Sequence, residues 1–397
     1  MTANYESALA WLYGTQLFGI KLGLDSMRLL VAALNLPPQR FIHVAGTNGK
    51  GSTCAMIASV ARAGGVKTGL FTSPHLVSYR ERIQINGERI SEQAVADGLE
   101  KIRGIVEAWD PHPTFFEITT ALALDYFAQQ GTDLIVLETG MGGRLDATNV
   151  VTPLVSVITP IALDHQQWLG QTIAEIAGEK AGIIKPGVPV VSARQLPEAE
   201  AVLRSRGPVE MVEHPYTSSP LALGGEHQQH NASLALTALR AAGFDFPQEV
   251  VRLGLAQTTW PARFQYLRPD FIIDGAHNPA GAEALVTAWK RAFPNQKARL
   301  IFGAVAAKDI CKVLEQLLPI ATSIHCLTLK SPRAMPAAEI AALVQAVDPD
   351  FPVQLTGSLK EAMEAASGLT LLTGSLYLCG EALALHQGDT AFEVSAQ

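Results

Sequence analysis

One segment organises the rest of the chain: Phe41-Ile-His-Val-Ala-Gly46-Thr-Asn-Gly49-Lys50-Gly51-Ser52-Thr53, which continues as Cys54-Ala-Met-Ile-Ala-Ser-Val-Ala. An apolar run that stops at glycines and then resumes predicts a strand, a loop and a helix, with N–H groups converging on an anion at the helix N-terminus. Lys50 is placed to reach phosphate oxygens, and the hydroxyl of Ser52 or Thr53 to meet a phosphate-bound magnesium ion. Gly51 separates lysine from hydroxyl, which departs from the G-x-x-x-x-G-K-[ST] pattern. A glycine-rich turn without a ligand is the alternative.

Length and composition bound the class of protein. The 397 residues exceed the roughly 250–300 at which single cores usually split, so two domains are expected. Hydrophobic residues make up 48% and charged residues 17%, which indicates a compact globular protein. A net charge of −7 argues against a general nucleic-acid surface. An anionic substrate therefore needs local clusters of lysine and arginine.

The compartment is predicted to be the cytoplasm. Four scattered cysteines show no zinc or disulfide spacing and are expected to be reduced. The N-terminus lacks the pattern of a signal peptide. The longest apolar region, 150–163, is interrupted by threonines and prolines, so no membrane partner is expected.

The order of strands and helices predicts two α/β domains. Asp133–Glu138 and Val155–Thr159 have the continuous apolar character of buried parallel strands, and Asn86-Gly87 predicts a hairpin. From about residue 258 the strand–loop–helix pattern restarts. We therefore predict an N-terminal P-loop ATPase-like domain with a mainly parallel sheet over 1–260, and a smaller Rossmann-like α/β domain over 261–397. A ligand cleft between them is expected. The predicted strands of the second domain are 270–274, 299–302, 323–329, 353–355 and 369–373.

Three polar residues of the first domain follow buried elements. Glu138 ends a strand and opens a loop with three glycines in four positions, where a carboxylate suits magnesium; a solvated strand end is the alternative. His165 ends the next strand and is either a ligand or a structural or surface histidine. Lys180 ends a helix, where a lysine ordinarily favours the negative C-terminus.

The second domain offers a cation and a polar loop. Arg263 follows the expected linker and is placed to brace a nucleotide's phosphates. Asp274 in Asp274-Gly-Ala-His277-Asn278-Pro279 is placed to accept hydrogen bonds from ribose hydroxyls. The alternative is structural, with aspartate closing the turn and Asn-Pro starting a helix.

Taken together, these segments resemble the folylpolyglutamate synthase/dihydrofolate synthase family of the Mur ligase superfamily. The matching stretches occur in the family's order along nearly the whole chain: 19–24, 43–53, 72–76, 80–87, 138–149, 163–165, 179–185, 227–231 and 274–279. The resemblance implies ATP-dependent joining of a carboxylate to an amine through an acyl phosphate.

The resemblance also assigns site residues. It implies an ATP site, with parts from both domains, of Asn48, Gly49, Lys50, Gly51, Ser52, Asn231, Arg263 and Asp274. Two magnesium ions are implied on Ser52, Ser73, Glu138 and His165. Lys180 matches the lysine that is carbamylated in the family. Carbamylation would turn its cation into a metal-facing carboxylate, and this role replaces the interpretation of Lys180 as a cation at a helix C-terminus. Lys50, Lys180, His165 and His277 are the implied catalytic residues.

The implied substrates are a folate or dihydropteroate, L-glutamate and ATP. Phe115, Phe116, Glu117, Arg82, Leu145 and Asp146 match segments near the pterin, and either phenylalanine is placed to stack on its ring or to pack in the core. A shortened stretch between Val191 and His227 departs from the family pattern. The sequence does not separate polyglutamylation from dihydrofolate synthesis.

Two other classes of function compete with a folate ligase. A cell-wall ligase acting on a UDP-linked peptide is opposed by Gly51 and by the folate-type 274–279 motif. A non-catalytic nucleotide-binding protein is opposed by the joint presence of Lys50, Glu138, His165 and Lys180. A monomer is expected.

Overall fold

The computed structural model describes residues 4–18, 23–306, 309–331, 333–388 and 393. The chain forms two compact units. Unit 1 contains residues 1–74, 80–220 and 230–258, and unit 2 contains 75–79, 221–229 and 259–397. The predicted domain limits at residue 260 stay a prediction. The predicted motif at 19–24 falls mostly outside the described residues.

Within its described residues, unit 1 is built on an eight-stranded sheet in the order β4-β3-β2-β5-β1-β6-β7-β8. The strands are β1 Phe41–Ala45, β2 Thr68–Phe71, β3 Ile83–Ile85, β4 Glu88–Arg89, β5 Leu134–Glu138, β6 Val155–Ile158, β7 Val190–Ala193 and β8 Glu210–Val212. The strands β2, β5, β1, β6, β7 and β8 pair with their neighbours in parallel. The pairs β4–β3 and β3–β2 at the edge of the sheet are antiparallel. The prediction of a mainly parallel sheet is confirmed.

Helices cover this sheet. They are α1 Tyr5–Gly14, α2 Asp25–Leu34, α3 Lys50–Ala63, α4 Glu92–Val106, α5 Phe115–Gln129, α6 Gln166–Leu169, α7 Ile173–Lys180, α8 Pro197–Arg204, α9 Glu226–Ala241, of which residues from 230 on belong to unit 1, and α10 Gln248–Ala256. Capping side chains determine where several of these helices begin. Ser91 caps α4, while Thr114 and Thr172 form capping boxes at α5 and α7. None of the described helices is long and apolar enough to cross a membrane.

The phosphate-loop strand β1 is a central strand of unit 1. It pairs in parallel with β5 on one side and β6 on the other, and all five of its residues are buried. Parallel strands present their carboxyl ends at one edge of a sheet. The segments that follow β1, β2, β5 and β6 therefore meet at this edge.

The hairpin prediction is confirmed. Gln84 pairs with Arg89 and Ile85 with Glu88, and the turn residues Asn86 and Gly87 have positive φ angles of 53° and 84°. Asparagine and glycine tolerate this left-handed backbone, which matches the twist of a two-residue hairpin.

Unit 2 has a smaller sheet, six-stranded within the part of the chain that the structure describes. Its order is β13-β12-β11-β14-β10-β9, formed by β9 Gln265–Arg268, β10 Phe271–Ile273, β11 Ala298–Phe302, β12 Ala321–Cys326, β13 Val353–Leu355 and β14 Thr370–Thr373. Its helices are α11 Pro279–Ala292, α12 Ile310–Leu317, α13 Ala337–Val347, α14 Leu359–Glu364 and α15 Leu376–Gln387. All strands except β9 pair in parallel, and the five strands predicted here are present.

One strand of unit 2 is not predicted by the apolar pattern. β9 alternates between half-buried and exposed residues and joins the sheet edge antiparallel to β10. An edge strand with one wet face lacks the continuous hydrophobic run that marks a buried parallel strand. The sequence pattern of β9 therefore does not mark it as a strand.

Candidate active site

The loop between β1 and α3 has the form of an anion cradle. Gly49 is the N-cap residue of α3 and has a φ of 86°, a left-handed conformation that favours glycine. A Cβ atom built on Gly49 would lie 2.7 Å from Oδ1 of Asn231, so a side chain has no room here. Glycine provides no side chain to cap the first turn of α3, and such a helix N-terminus binds anions. Asn231, implied only by resemblance, is thus brought to the loop.

The segment after β6 holds the other half of this loop. The N–H groups of Thr47 and Asn48 donate to the carbonyl oxygen of Pro160 at 3.0 and 3.2 Å. The Thr47 hydroxyl lies 3.1 Å from both the carbonyl oxygen and the nitrogen of Ala162. A Cβ on Gly46 would lie 1.8 Å from Oγ1 of Thr159. These partners are not predicted from the sequence, although their position after a parallel strand is a signal for them.

Two lysines converge on one carbonyl group. Nζ of Lys50 lies 3.2 Å from the carbonyl oxygen of Gly46 and 3.3 Å from that of Thr47. Nζ of Lys180 donates to the same Gly46 oxygen at 2.8 Å, and Lys180 is buried. Lys180 is the last residue of α7, and its side chain reaches the phosphate loop. The helix-terminus interpretation therefore does not account for it.

A serine and a carboxylate meet beside this loop. Ser73 follows β2, and its N–H donates to Oε2 of Glu138 at 3.1 Å. Glu138 ends the neighbouring strand β5 and is only 3% exposed. The alternative of a solvated strand end is therefore wrong. Strand topology explains the meeting, because Phe71 of β2 is in register with Leu137 of β5.

His165 lies at the start of α6. It has a positive φ of 50°, and its side chain is 45% exposed, with Nε2 4.0 Å from Oδ1 of Asp164. Among the described residues, no three or more His, Cys, Asp or Glu side chains group to hold a metal ion. The predicted magnesium ligands are instead a mixed set of two serines, one carboxylate, one imidazole and Lys180.

Ser52 and Thr53 lie in the first turn of α3. Both are buried, and the hydroxyl oxygen of Thr53 has no hydrogen-bond partner within the part of the chain that the structure describes. A buried hydroxyl without a partner is costly, so a ligand that accepts or donates there would be favoured.

The glycine-rich segment 138–149 packs against the turn that carries Lys180. A Cβ on Gly143 would lie 2.8 Å from the carbonyl oxygen of Lys180, and a Cβ on Gly182 would lie 2.3 Å from Cα of Arg144. The Arg144 guanidinium pairs with Glu179 at 2.8 Å, and Nδ2 of Asn149 donates to the carbonyl oxygens of Arg144 and Gly182, both at 3.0 Å. Two glycines thus let two backbones touch, which fixes the base of Lys180.

The predicted folate-binding phenylalanines have different environments. Phe115 is buried, stacks on Tyr13 with ring centroids 5.6 Å apart, and lies 5.3 Å from the guanidinium carbon of the fully buried Arg82. Phe116 is half-buried and lies beside Gly140, where a Cβ would lie 2.5 Å from its ring. Glu117 closes the capping box of α5 by accepting from the N–H of Thr114 at 2.8 Å. The buried ring of Phe115, packed on Tyr13, therefore makes Phe115 a core residue, whereas Phe116 is half-buried.

Asp146 lies in the core of its loop. It is 6% exposed, and its carboxylate accepts from the N–H groups of Met141 at 2.8 Å and Thr148 at 3.0 Å. Burial raises the pKa of Asp146, and hydrogen bonds from Thr148 and Met141 oppose that shift. Leu145 next to it is half-buried. The predicted contacts of Asp146 and Leu145 with substrate stay predictions.

In unit 2, Arg263 sits in a strained turn. Its neighbours Ala262 and Phe264 both have positive φ angles, 57° and 44°, which are uncommon outside glycine. Nη1 of Arg263 donates to the carbonyl oxygen of Ala262 at 2.8 Å, and a Cβ on Gly275 would lie 2.8 Å from the same Nη1. Strain of this kind is concentrated at functional sites.

Asp274 supports the same turn. Its two oxygens accept from the N–H groups of Phe264 and Ala276, each at 2.8 Å. Burial raises the pKa of Asp274, against the lowering effect of the Arg263 charge. His277 is half-buried with Nδ1 2.8 Å from the carbonyl oxygen of Gly275, and Asn278 caps α11 as its structural interpretation predicts.

Comparisons with known proteins identify the family of this chain. Residues 44–190 match the Mur ligase middle domain and residues 262–379 the Mur ligase glutamate ligase domain. The chain is 37% identical over 428 aligned positions to the dihydrofolate synthase/folylpolyglutamate synthase of Bacillus subtilis, covering 96% of this chain and 99% of that protein. The chain belongs to the dihydrofolate synthase/folylpolyglutamate synthase family.

Solved structures of the family have the same fold. Mycobacterium tuberculosis folylpolyglutamate synthase complexed with ADP and AMPPCP superimposes with a TM-score of 0.89 at 32% identity, covering 99% of this chain and 100% of that one. Escherichia coli FolC in complex with DHPP and ADP gives 0.85 at 32% identity, covering 96% and 98%. The resemblance drawn from the sequence motifs is confirmed.

Most of the predicted site residues lie within the two ranges that match the family models. The middle-domain match runs from β1 to the start of β7 and includes Lys50, Ser73, Glu138, His165 and Lys180. The glutamate-ligase match begins at Ala262 and includes Arg263, Asp274 and His277.

Proposed function

We propose that the chain joins L-glutamate to a carboxylate of a folate, at the expense of ATP, with an amide, ADP and phosphate as products. Unit 1 contains the phosphate loop with Lys50 and Lys180, and unit 2 contains Arg263, Asp274 and His277. The observation that carries the proposal is the convergence of Lys50 and Lys180 on the carbonyl oxygen of Gly46, directly before a helix N-terminus built for an anion.

The reaction sets an electrostatic problem that these residue types solve. A folate carboxylate attacks the γ-phosphoryl group of ATP, so two anions must approach each other. The ammonium group of Lys50 and the N-terminus of α3 offset that repulsion. The acyl phosphate formed is then attacked by the amine of glutamate, and the tetrahedral intermediate collapses to the amide with loss of phosphate. Water would hydrolyse the acyl phosphate, so exclusion of water is required.

For the nucleotide, we propose contacts from residues of both matched domains. In unit 1 these are Asn48, Gly49, Lys50, Gly51, Ser52 and Asn231. The left-handed Gly49 beside Asn231 supports this assignment. In unit 2, Arg263, Asp274 and His277 are the proposed contributors. The strained backbone on both sides of Arg263 supports a functional role for that residue.

For magnesium, the donor set fits the ion. Ser52, Ser73 and Glu138 offer the hard oxygen atoms that Mg²⁺ prefers, and the backbone N–H of Ser73 donates to Glu138, which holds the two residues together. We propose these residues and His165 as ligands of two ions. When bound, the ions supply positive charge that neutralises the phosphates of ATP.

Lys180 is proposed to be carbamylated. Its neutral amine attacks CO₂, a carbon–nitrogen bond forms, and one proton leaves, so a cation becomes a carboxylate. Its burial and its place beside the phosphate loop support this proposal, because an anion there is close to the proposed magnesium ligands. The modification would also separate the roles of the two lysines, with Lys50 remaining the cation.

For the folate, Phe116 is the proposed stacking residue because its ring is half-buried, whereas Phe115 is core. Arg82, Glu117, Leu145 and Asp146 are proposed to shape the same region. Reduced cysteines support a cytoplasmic location, and all four cysteines are free thiols in the structure. The protein is proposed to act as a monomer without nucleic-acid or membrane partners.

The deciding experiment is a parallel glutamate-incorporation assay. Purified protein with ATP and Mg²⁺ is given labelled L-glutamate with dihydropteroate, a tetrahydrofolate or a UDP-linked cell-wall acceptor. Incorporation with either pterin acceptor supports the proposal, and the comparison of the two determines whether one activity or both are present. Incorporation only with the UDP-linked acceptor, or with none, would contradict it.

A further inference from the structure

A buried histidine of the phosphate-loop strand has no role in the reaction described above. His43 lies in the middle of β1, is fully buried, and its Nε2 atom lies 2.8 Å from the hydroxyl oxygen of Thr148. It cannot touch a substrate, because its side chain has no exposed surface. Any contribution to the reaction must therefore act through Thr148.

Thr148 connects the histidine to Asp146. The Thr148 hydroxyl lies 2.5 Å from Oδ1 of Asp146, and the Thr148 N–H donates to the same oxygen at 3.0 Å. The other carboxylate oxygen accepts from the N–H of Met141 at 2.8 Å. All of His43, Thr148 and Asp146 are buried. A three-member polar chain thus runs from the central strand into the glycine-rich loop 138–149.

The direction of this chain follows from counting protons. The N–H groups of Met141 and Thr148 donate to the two Asp146 oxygens, which favours the ionised carboxylate that only accepts, so the single hydroxyl proton of Thr148 is donated to Asp146. Thr148 must then accept from His43, which requires the neutral tautomer with its proton on Nε2. The other ring nitrogen, Nδ1, is buried without a hydrogen-bond partner among the described residues, so the opposite neutral tautomer would bury an N–H donor that bonds to nothing. Burial, with the charge of Lys185, lowers the pKa of His43 to about 3.

We infer that His43 is a positioning residue for the folate side of the site: its Nε2–H orients the Thr148 hydroxyl, which holds Asp146 and with it the loop from Met141 to Asp146. The inference rests on the proposed function, because that loop is the proposed folate contact. A strand that ends in the phosphate loop would thereby also fix the acceptor loop. This gives a specific reason for a donor, rather than an apolar residue, at the centre of β1.

Paired variants separate a hydrogen-bonding role from simple packing. His43→Gln keeps an N–H donor at the end of a side chain of similar length, whereas His43→Leu removes it. Thr148→Ser keeps the hydroxyl, and Thr148→Val removes it. We expect His43→Leu and Thr148→Val each to raise the KM for the folate acceptor about tenfold, since one buried hydrogen bond is lost. The KM for ATP should change less than about threefold, and the Gln and Ser variants should stay near wild type.

The double variant His43→Leu/Thr148→Val tests the chain itself. If both residues act through one path, the double variant should be no worse than the poorer single variant. Equal damage from Gln and Leu at position 43, or an unchanged folate KM in His43→Leu, would show that His43 only packs. If His43→Leu does not fold, the Val and Ser variants at position 148 decide, and equal KM values for them would overturn the inference.

A spectroscopic readout does not depend on the reaction. In ¹⁵N-histidine-labelled protein, the His43 signal, assigned by its loss in His43→Gln, should show the Nε2–H tautomer and should shift in Thr148→Val. The opposite tautomer would overturn the inference even if the enzyme ligates folates. If the wild type ligates no folate but shows this tautomer, the proposed function fails and the hydrogen-bond chain remains.

Discussion

Nζ of Lys180 lies 2.8 Å from the carbonyl oxygen of Gly46, the first residue after the phosphate-loop strand. Lys180 is 134 residues away in sequence and comes from the end of α7. The same oxygen accepts from Lys50. Two buried or half-buried cations on one carbonyl repel each other, so converting one of them to an anion would relieve the repulsion. This repulsion is a physical argument for the proposed carbamylation of Lys180.

The first prediction tests the proposed carbamylation of Lys180. Lys180→Ala should lose activity by about 100-fold or more, and short carboxylic acids such as acetate should restore part of it, because they can occupy the place of the carbamate. Lys50→Ala is the matched control, since an added acid cannot replace a cation. Ligase rates with and without acid provide the measurement. Wild-type turnover in Lys180→Ala, or equal rescue of both variants, would exclude the carbamate role.

The second prediction concerns Gly49. Gly49→Ala should lower kcat/KM for ATP at least about tenfold, because its Cβ would lie 2.7 Å from Asn231 and its φ of 86° disfavours a side chain. Gly65→Ala is a close control: Gly65 lies just after the other end of α3, has a φ of 81°, and has nothing within 4 Å of a built Cβ. Gly65→Ala therefore places a side chain on a left-handed backbone, as Gly49→Ala does, but without a clash with a neighbouring residue. Equal effects of the two variants on ATP use would argue against a crowded nucleotide loop.

Local patterns were sufficient to predict the strand, loop and helix around Gly49, because glycine spacing and apolar runs act over a few residues. The meeting of Ser73 with Glu138 was also predictable in kind, since parallel neighbouring strands end at one edge. The sequence does not encode strand order openly, however. The contacts of Thr47 and Asn48 with Pro160 depend on β6 lying next to β1, which only the folded sheet reveals.

Other features of the site depend on the packing around each side chain, which local sequence patterns do not reveal. Phe115 and Phe116 are adjacent and identical in type, yet one is core and the other half-buried, because a helix turns about 100° per residue. Likewise, Gly143 and Gly182 are needed for a contact between backbones far apart in sequence. The family resemblance identified these motifs as important. It did not say which glycine serves packing.

The third prediction separates these two phenylalanines. Phe115→Ala should destabilise unit 1 by about 3–5 kcal/mol, because a buried ring stacked on Tyr13 is lost. Phe116→Ala should cost clearly less stability but raise the KM for the pterin acceptor. Thermal unfolding and acceptor titrations measure the two effects. A folate KM that is unaffected by Phe116→Ala would remove it as the stacking residue.

The fourth prediction concerns Arg263. Arg263→Ala should reduce kcat/KM for ATP by about 100-fold, because a charge-assisted contact with the phosphates is lost, while the protein remains folded. Arg268→Ala is a suitable control, since its side chain is 47% exposed on β9 of the same unit. Steady-state kinetics and circular dichroism give the readouts. Unchanged kinetics in Arg263→Ala would show that the proposed nucleotide contact is misplaced.

The fifth prediction links His43 to acid stability. His43 has a pKa of about 3 in the folded protein, against 6.5 for an unperturbed histidine. Between these values the unfolded chain binds a proton that the folded chain excludes, so the free energy of unfolding should fall as pH falls below about 6.5. The slope from this residue is about 1.4 kcal/mol per pH unit. Above pH 7 this contribution is fully present.

Comparison with His43→Gln isolates the contribution of His43 to the pH dependence of stability. Glutamine does not titrate, and the other titratable groups are the same in both proteins. Buried Asp146 and Asp274 have raised pKa values and therefore bind protons more readily when folded, which opposes the histidine term in the wild type. These carboxyl groups are common to both proteins, so they cancel in the difference. Urea unfolding at pH 7.5, 5.5 and 4.5 should show the wild type losing stability relative to His43→Gln at each step down. Parallel pH curves would mean that His43 binds its proton as readily in the folded protein as in the unfolded chain.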